Sequence, residues 1–235
     1  MLAVASSALL VLGCVGGQAP HGATSTPTVV ATPLPANLTS FRYMLNVQAS
    51  ELGGVSGSTP VTLAVRGEVG AVDRQRSASH LVLSFGAIDS ERVQIGTRLW
   101  TRDAAGPWID EPAGTRVSAT RAVGIDLDPG VLAGSEAHER LKRTLTGATS
   151  VSDQLDGVEV AKYSLAAAQV RVLLGTSEAD SSGGVAGVAD RWLFWVTKDR
   201  WLPVRLVSDS TSGGRVRLDL MVTDHNAAIV VEPPK

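Results

Sequence analysis

The sequence predicts a mainly β domain with short helices, an α+β fold. The expected architecture is a single strongly curved antiparallel sheet, an incomplete barrel, with helices on its concave face. Three observations lead there. Apolar residues alternate with polar ones in one run after another, which is the period of a strand with one wetted side. Helical spacing is concentrated in the middle of the chain. Finally, β-branched Val and Thr recur throughout, alongside 24 Gly and 11 Pro, a composition that favours strands and turns over long helices.

The first run is Arg42 to Gln48, where Tyr43, Leu45 and Val47 alternate with polar neighbours. Val61, Leu63 and Val65 repeat the pattern, and the Gly-rich stretch Glu51 to Ser58 between the two runs reads as a loose hairpin turn. After a turn expected at Gly67 to Gly70 the chain returns through Val72 to Phe85, with Leu81, Leu83 and Phe85 alternating. Val93, Ile95 and Leu99 continue to Trp100, and Gly106-Pro107 turns the chain into Trp108. In the middle, Asp128-Pro129 is a helix start with Asp at the cap and Pro at the first position. Val131, Leu132, His138, Leu141 and Leu145 give the helix its stripe, Gly130 and Gly134 divide it in two, and Gly147 ends it. A second short helix is expected from Leu165 to Leu174, closed by Gly175, although Val170 and Val172 also suit a strand. Thr176 to Ala189 has no periodicity and reads as a flexible loop. Three stripes close the chain: Trp192, Phe194 and Val196; Leu202, Val204 and Leu206; and Val216, Leu218, Leu220 and Val222. Trp192, Trp195 and Trp201 are expected to cluster near one hairpin through cross-strand aromatic packing.

The chain has 235 residues, enough for a real core, and 21 Lys+Arg against 23 Asp+Glu leave a formal charge of -2. No general attraction to nucleic acid is built in. One cysteine excludes an intrachain disulfide and any cysteine-cluster metal site. That cysteine, Cys14, follows the uncharged apolar run Leu2 to Leu12, which falls short of the roughly 20 residues a membrane-spanning helix requires and suits a signal-peptide core. Val11-Leu12-Gly13-Cys14 resembles a bacterial lipobox, so residues 1–13 are expected to be a signal peptide and Cys14 a diacylated N-terminus. No Lys or Arg precedes the apolar run, a departure from the usual positive end. Residues 14–40 carry the acylated cysteine and a Thr/Pro-rich tether, and residues 41–235 form the domain. The expected localisation is the extracytoplasmic face of the bacterial cell membrane, held by two acyl chains.

Chemistry motifs are sparse. His21, His80, His138 and His225 lie far apart and share no metal-ligand spacing. Asp126-Leu127-Asp128 lacks the turning glycine and the bidentate acid of a calcium loop. No phosphate-binding glycine loop or nucleophile elbow occurs. Asp89, Glu91, Asp110 and Glu111 read as solvated carboxylates. No enzyme activity, cofactor or metal is expected.

Taken together, the lipobox, the tether, the one-sided meander and two phrases resemble the LppX/LprG-type lipoproteins and, more distantly, the LolA/LolB lipoprotein carriers. The phrases are Asp156-Gly157-Val158-Glu159-Val160-Ala161-Lys162-Tyr163 and Trp195-Val196-Thr197-Lys198-Asp199-Arg200-Trp201-Leu202-Pro203-Val204. The resemblance implies a hydrophobic cavity for acyl chains between sheet and helices. Its walls would include Leu63, Leu83, Ile95 and Leu218 from strands and Leu132 and Leu141 from the helix, with the Thr176 to Ala189 loop as a gate. The leading expectation is thus a monomeric, membrane-anchored binder or carrier of a lipid or lipophilic molecule. The alternative is an envelope sensor or interaction module that docks a protein partner along the sheet edge or that loop. A continuous apolar volume of several hundred Å³ favours the first, and a filled core the second.

Overall fold

The computed structural model describes residues 37–49, 61–73, 76–85, 88–112, 129–175, 191–208 and 216–235. The predicted meander is there, in two halves. The first half comprises β1 (Phe41–Ala49), β2 (Val61–Asp73), β3 (Arg76–Phe85), β4 (Ile88–Ile95), β5 (Arg98–Asp103) and β6 (Ile109–Glu111). A 3-10 turn (Pro129–Leu132) and helix α1 (Gly134–Leu145) lead to the second half. This contains β7 (Ser150–Leu155), β8 (Val158–Ala166), helix α2 (Ala167–Leu174), β9 (Arg191–Thr197), β10 (Pro203–Ser208) and β11 (Val216–Thr223). All belong to one 11-stranded sheet in the order β6-β5-β4-β3-β2-β1-β11-β10-β9-β8-β7, and the pairs are antiparallel. Among the described residues β6 and β7 are its edges, and the sheet is not closed into a barrel.

Period two explains the helix-covered face. Directly opposed residues share a face, and Tyr43, Leu45 and Val47 oppose Val222, Leu220 and Leu218 on one side and, for Leu45 and Val47, Val65 and Leu63 on the other. The same core continues through Leu83, Tyr163, Leu165, Trp192, Phe194 and Leu206. Each fully buried side chain of this kind contributes about 1.5–3 kcal/mol. α1 covers them because Ala137, Leu141 and Leu145 recur every four residues and fall on one buried stripe. α2 adds Val170, Leu173 and Leu174. Arg140 ties the helical layer together, donating from Nη2 to the Val131 carbonyl at 2.8 Å and from Nε to the Leu173 carbonyl at 3.5 Å.

The opposite, outer face is divided. Over β3 and β4 it is covered by the C-terminal tail, whose Ile229 and Val231 bury Ala78 and Val93, flanked by Ile95, Trp100 and Trp108. Asn226 anchors that tail beside the start of β1: its Oδ1 accepts from the Thr39 amide at 2.7 Å and its own amide donates to the Ser40 carbonyl at 2.7 Å. His225, one residue earlier, hydrogen-bonds through Nε2 to the Pro203 carbonyl at 2.7 Å.

Several local expectations change. Gly67 and Gly70 lie inside β2 and make no turn. A Cβ on Gly67 would overlap the Tyr43 ring, and one on Gly70 would meet the Ile229 carbonyl oxygen at 2.5 Å, so these glycines admit close neighbours. Ile95 and Leu99 belong to different strands, separated at Gly96, which has φ +59. Leu165 lies in β8, which ends at Ala166, and α2 starts at Ala167. In the stripe Leu202, Val204, Leu206, an irregularity between Pro203 and Arg205 breaks the period. Leu202 and Leu206 enter the main core while Val204 packs on the outer face. The three tryptophans separate as well. Trp192 is in the core, Trp195 is on the outer face with Val160 and Val207, and Trp201 stacks 6.4 Å from Tyr163. Asp156-Gly157 makes the hairpin turn between β7 and β8: both have positive φ, 50 and 79, as a type I′ turn requires. Cys14, the tether up to residue 36, the turn at Glu51 to Ser58, Asp126 to Asp128 and the loop at Thr176 to Ala189 lie outside the described residues; residues 37–40, expected as the end of the tether, belong instead to the domain, with Leu38 buried in the main core.

Two outcomes follow. Gly67→Ala drives a methyl into the buried Tyr43 ring, and overpacking of this kind should lower stability by about 1–3 kcal/mol in urea unfolding; an unchanged midpoint contradicts the packing. The second concerns acid. Burial lowers the pKa of His138, with Lys142 adding and Glu139 opposing, and burial lowers that of His225, with Arg200 adding and the Pro203 bond and Asp224 opposing. Each ring holds its proton less tightly folded than unfolded. Their contribution is therefore complete above the ordinary value near 6.5 and declines as pH falls below it. The urea midpoint should drop between pH 7.5 and 5.5, and the drop should shrink in a His138→Gln, His225→Gln double variant.

Candidate functional site

Five of the six expected cavity residues come together. Leu63, Leu83, Leu132, Leu141 and Leu218 share the main core under the helices. Ile95 lies on the other face, beside the C-terminal tail. Among the described residues the space found under the helices, between Leu38, Leu132, Ala137, His138, Leu141, Leu173 and Pro203, is ≈ 10 Å³. That is about the room one water needs. Phe41, Trp192 and Phe194, all but fully buried, occupy the interior together with the aliphatic residues.

A larger space opens on the outer face, on the half the tail leaves uncovered. It is a cleft of ≈ 300 Å³, at the lower end of the range for small-molecule sites. The β7–β8 hairpin supplies one wall through Leu155, Asp156 and Val158. Val204 and Arg205 of β10 and Met221 and Thr223 of β11 contribute from the sheet, with Thr197 of β9 and, at the start of the tail, His225. The register accounts for the grouping. Arg205 opposes both Trp195 and Met221, so Met221 looks away from the Leu218, Leu220, Val222 stripe. The irregularity after Pro203 brings Val204 to the same side. Met44 opposes Met221 on β1 and is 39% exposed, extending the apolar surface beyond the cleft.

The cleft is apolar with a few polar groups, and its cation is already paired. Arg205 donates from Nε and Nη2 to the two carboxylate oxygens of Asp219 at 2.9 and 2.6 Å, a bidentate geometry. That bond raises the Arg205 pKa, burial opposes it, and the charges of Asp219 and Asp156 add to the rise. Arg205 and Lys162 also lie over the Trp195 ring, at 5.7 and 5.4 Å. Trp195 in turn donates to Asp153 at 2.9 Å, and this hydrogen bond is the main cause of a lowered Asp153 pKa. Thr197 is committed too, its hydroxyl accepting from the Leu202 amide at 3.1 Å.

Other candidate groups do not converge on a reaction centre. His80 lies between Glu91, at 2.7 Å, and Glu68, at 3.6 Å. Glu91 also accepts from Arg102 at 2.6 Å, and although burial raises its pKa, Arg102 and His80 outweigh that and leave it lowered. Asp110 pairs with Arg98 at 2.6 Å and Glu111 accepts from Thr101 at 2.7 Å. Among the described residues no group of three or more His, Cys, Asp or Glu is placed to hold a metal ion. None of the expected site residues lines the outer cleft. The signals for it were an apolar Met221 on the polar side of its strand and an Asp-Gly turn flanked by Leu155 and Val158.

No family model and no curated protein matches the sequence. Among solved structures, the chain is similar to a LolA superfamily protein from Nitrosomonas europaea, with a TM-score of 0.30, 10% identity, and 84% of this chain and 88% of that one covered. It is also similar to a beta-barrel-like protein of Domain of Unknown Function DUF1849 from Brucella abortus, with a TM-score of 0.30, 8% identity and coverage of 80% and 97%. Neither similarity places the chain among the LppX/LprG-type lipoproteins, and neither assigns a ligand.

Proposed function

We propose that this chain is an exported lipoprotein, anchored to the outside of the cell membrane through diacylated Cys14, that binds or carries one lipophilic molecule without covalent chemistry. The observation that supports a ligand site is the outer-face cleft of ≈ 300 Å³, with Leu155, Val158, Val204 and Met221 in its walls. An exposed apolar recess of that size leaves surface in water that a lipophilic ligand would cover, at roughly 25 cal/mol per Å² removed. Among the described residues no helix is long and apolar enough to cross a membrane, and anchoring in this reading rests on the two acyl chains of Cys14.

The second reading is an interaction module. It draws on β7, among the described residues an edge of the sheet, on which Val151 is 65% exposed and to which a partner strand can add.

Binding of the fluorescent apolar probe N-phenyl-1-naphthylamine tests the site. Met221→Trp and Val158→Trp place an indole in the cleft and should weaken probe binding at least tenfold. Leu218→Trp, on the helix face, should leave it within about twofold in the folded fraction while lowering stability by about 1–3 kcal/mol. Loss of binding only with Leu218→Trp would place the ligand under the helices. No binding by the parent protein would move the assignment to the interaction module. For the anchor, Cys14→Ser should shift the protein to the aqueous phase of a detergent partition.

A further inference from the structure

The chemistry of the cleft also restricts the head group of its occupant. Among the described residues, two charged ones line it, Asp156 and Arg205, and the guanidinium of Arg205 is clamped by Asp219 on two nitrogens. Of the nearby cations, Arg200 lies 3.3 Å from Asp199, Arg42 is 3.1 Å from Asp224 and 3.3 Å from Glu68, and Lys162 lies over the Trp195 ring. An anionic head would therefore lose its water beside the Asp156 carboxylate with its nearest cation already neutralised, an arrangement that costs more than it returns.

The histidine at the cleft points the same way. A carbonyl oxygen only accepts, so the 2.7 Å contact with Pro203 fixes the proton of His225 on Nε2. Burial disfavours the protonated ring, and in the neutral tautomer with the proton on Nε2, Nδ1 is an acceptor. The cleft thus offers acceptors, the Asp156 carboxylate and the His225 ring, over an apolar floor. We infer that it takes a neutral lipophilic molecule whose head donates a hydrogen bond, an alcohol or an amide, and that it discriminates against carboxylate and phosphate heads. The inference rests on the cleft being the ligand site.

Three ligands of matched length separate the two claims: decan-1-ol, 1-methoxynonane, which lacks the O–H, and decanoate, each displacing N-phenyl-1-naphthylamine at pH 7.5. The parent protein should bind decan-1-ol at least fivefold tighter than the ether. His225→Phe should abolish that preference, and Asp156→Asn should improve decanoate relative to the ether about three- to tenfold. Equal binding of alcohol and ether, or no gain for decanoate in Asp156→Asn, overturns the head-group inference while the cleft remains the site. Binding of none of the three by the parent protein overturns the cleft reading and this inference with it.

Discussion

Everything in this fold depends on the ladder between β1 and β11. The two meanders are each built from neighbouring strands, but they become one sheet only because Phe41–Ala49, near the beginning of the domain, pairs with Val216–Thr223, near its end. This is the costly contact, since its two strands are far apart in sequence and closing so long a loop must be offset by burial. The compensation is visible in the register. Tyr43, Leu45 and Val47 oppose Val222, Leu220 and Leu218 and enter the core. Sliding the ladder by one residue would exchange that stripe for Arg42, Met44 and Asn46.

The same ladder sets the outer face. Beyond β11 the chain turns at residues 224–226, and the side chain and amide of Asn226 tie it to residues 37–40. From there the tail crosses towards β3 and β4, where Ile229 and Val231 cover Ala78 and Val93. One half of the outer face is thereby sealed and the other left with an open recess bounded by the β7–β8 hairpin. The sheet is thus packed against the helices on one side and, over β3 and β4, against the tail on the other. Among the described residues, no element crosses Met221 and Val204 as the tail crosses Val93.

Much of the core was legible in the sequence, and the recess was not. Stripes such as Leu218, Leu220, Val222 and Trp192, Phe194, Val196 declare their common face through the geometry of a strand, and Gly147 and Gly175, with φ +82 and +66, mark the helix ends. Periodicity fails where the backbone departs from it. The irregularity after Pro203 sends Val204 to the outer face, and Gly67 and Gly70 mimic a turn while serving Tyr43 and Ile229. The recess is composed of positions that a one-sided sheet assigns to water, Arg205, Met221 and Thr223, and of a hairpin turn and a tail residue that meet them only in three dimensions. A period-two reading contains no information about which stretch of an outer face a nonperiodic tail will cover. Nor does it distinguish the lining of a cavity from a packed core such as the one in which Phe41, Trp192 and Phe194 lie buried.

The central claim is that a lipophilic ligand is held on the outer face, away from the helices. A nitroxide-labelled ten-carbon alcohol added to methyl-labelled protein reports this directly, because paramagnetic broadening falls off steeply with distance. The account predicts selective loss of the methyl signals of Val158, Val204 and Met221 with those of Leu141 and Leu173 preserved. Broadening of Leu141 and Leu173 with Val158 and Met221 unaffected would contradict it.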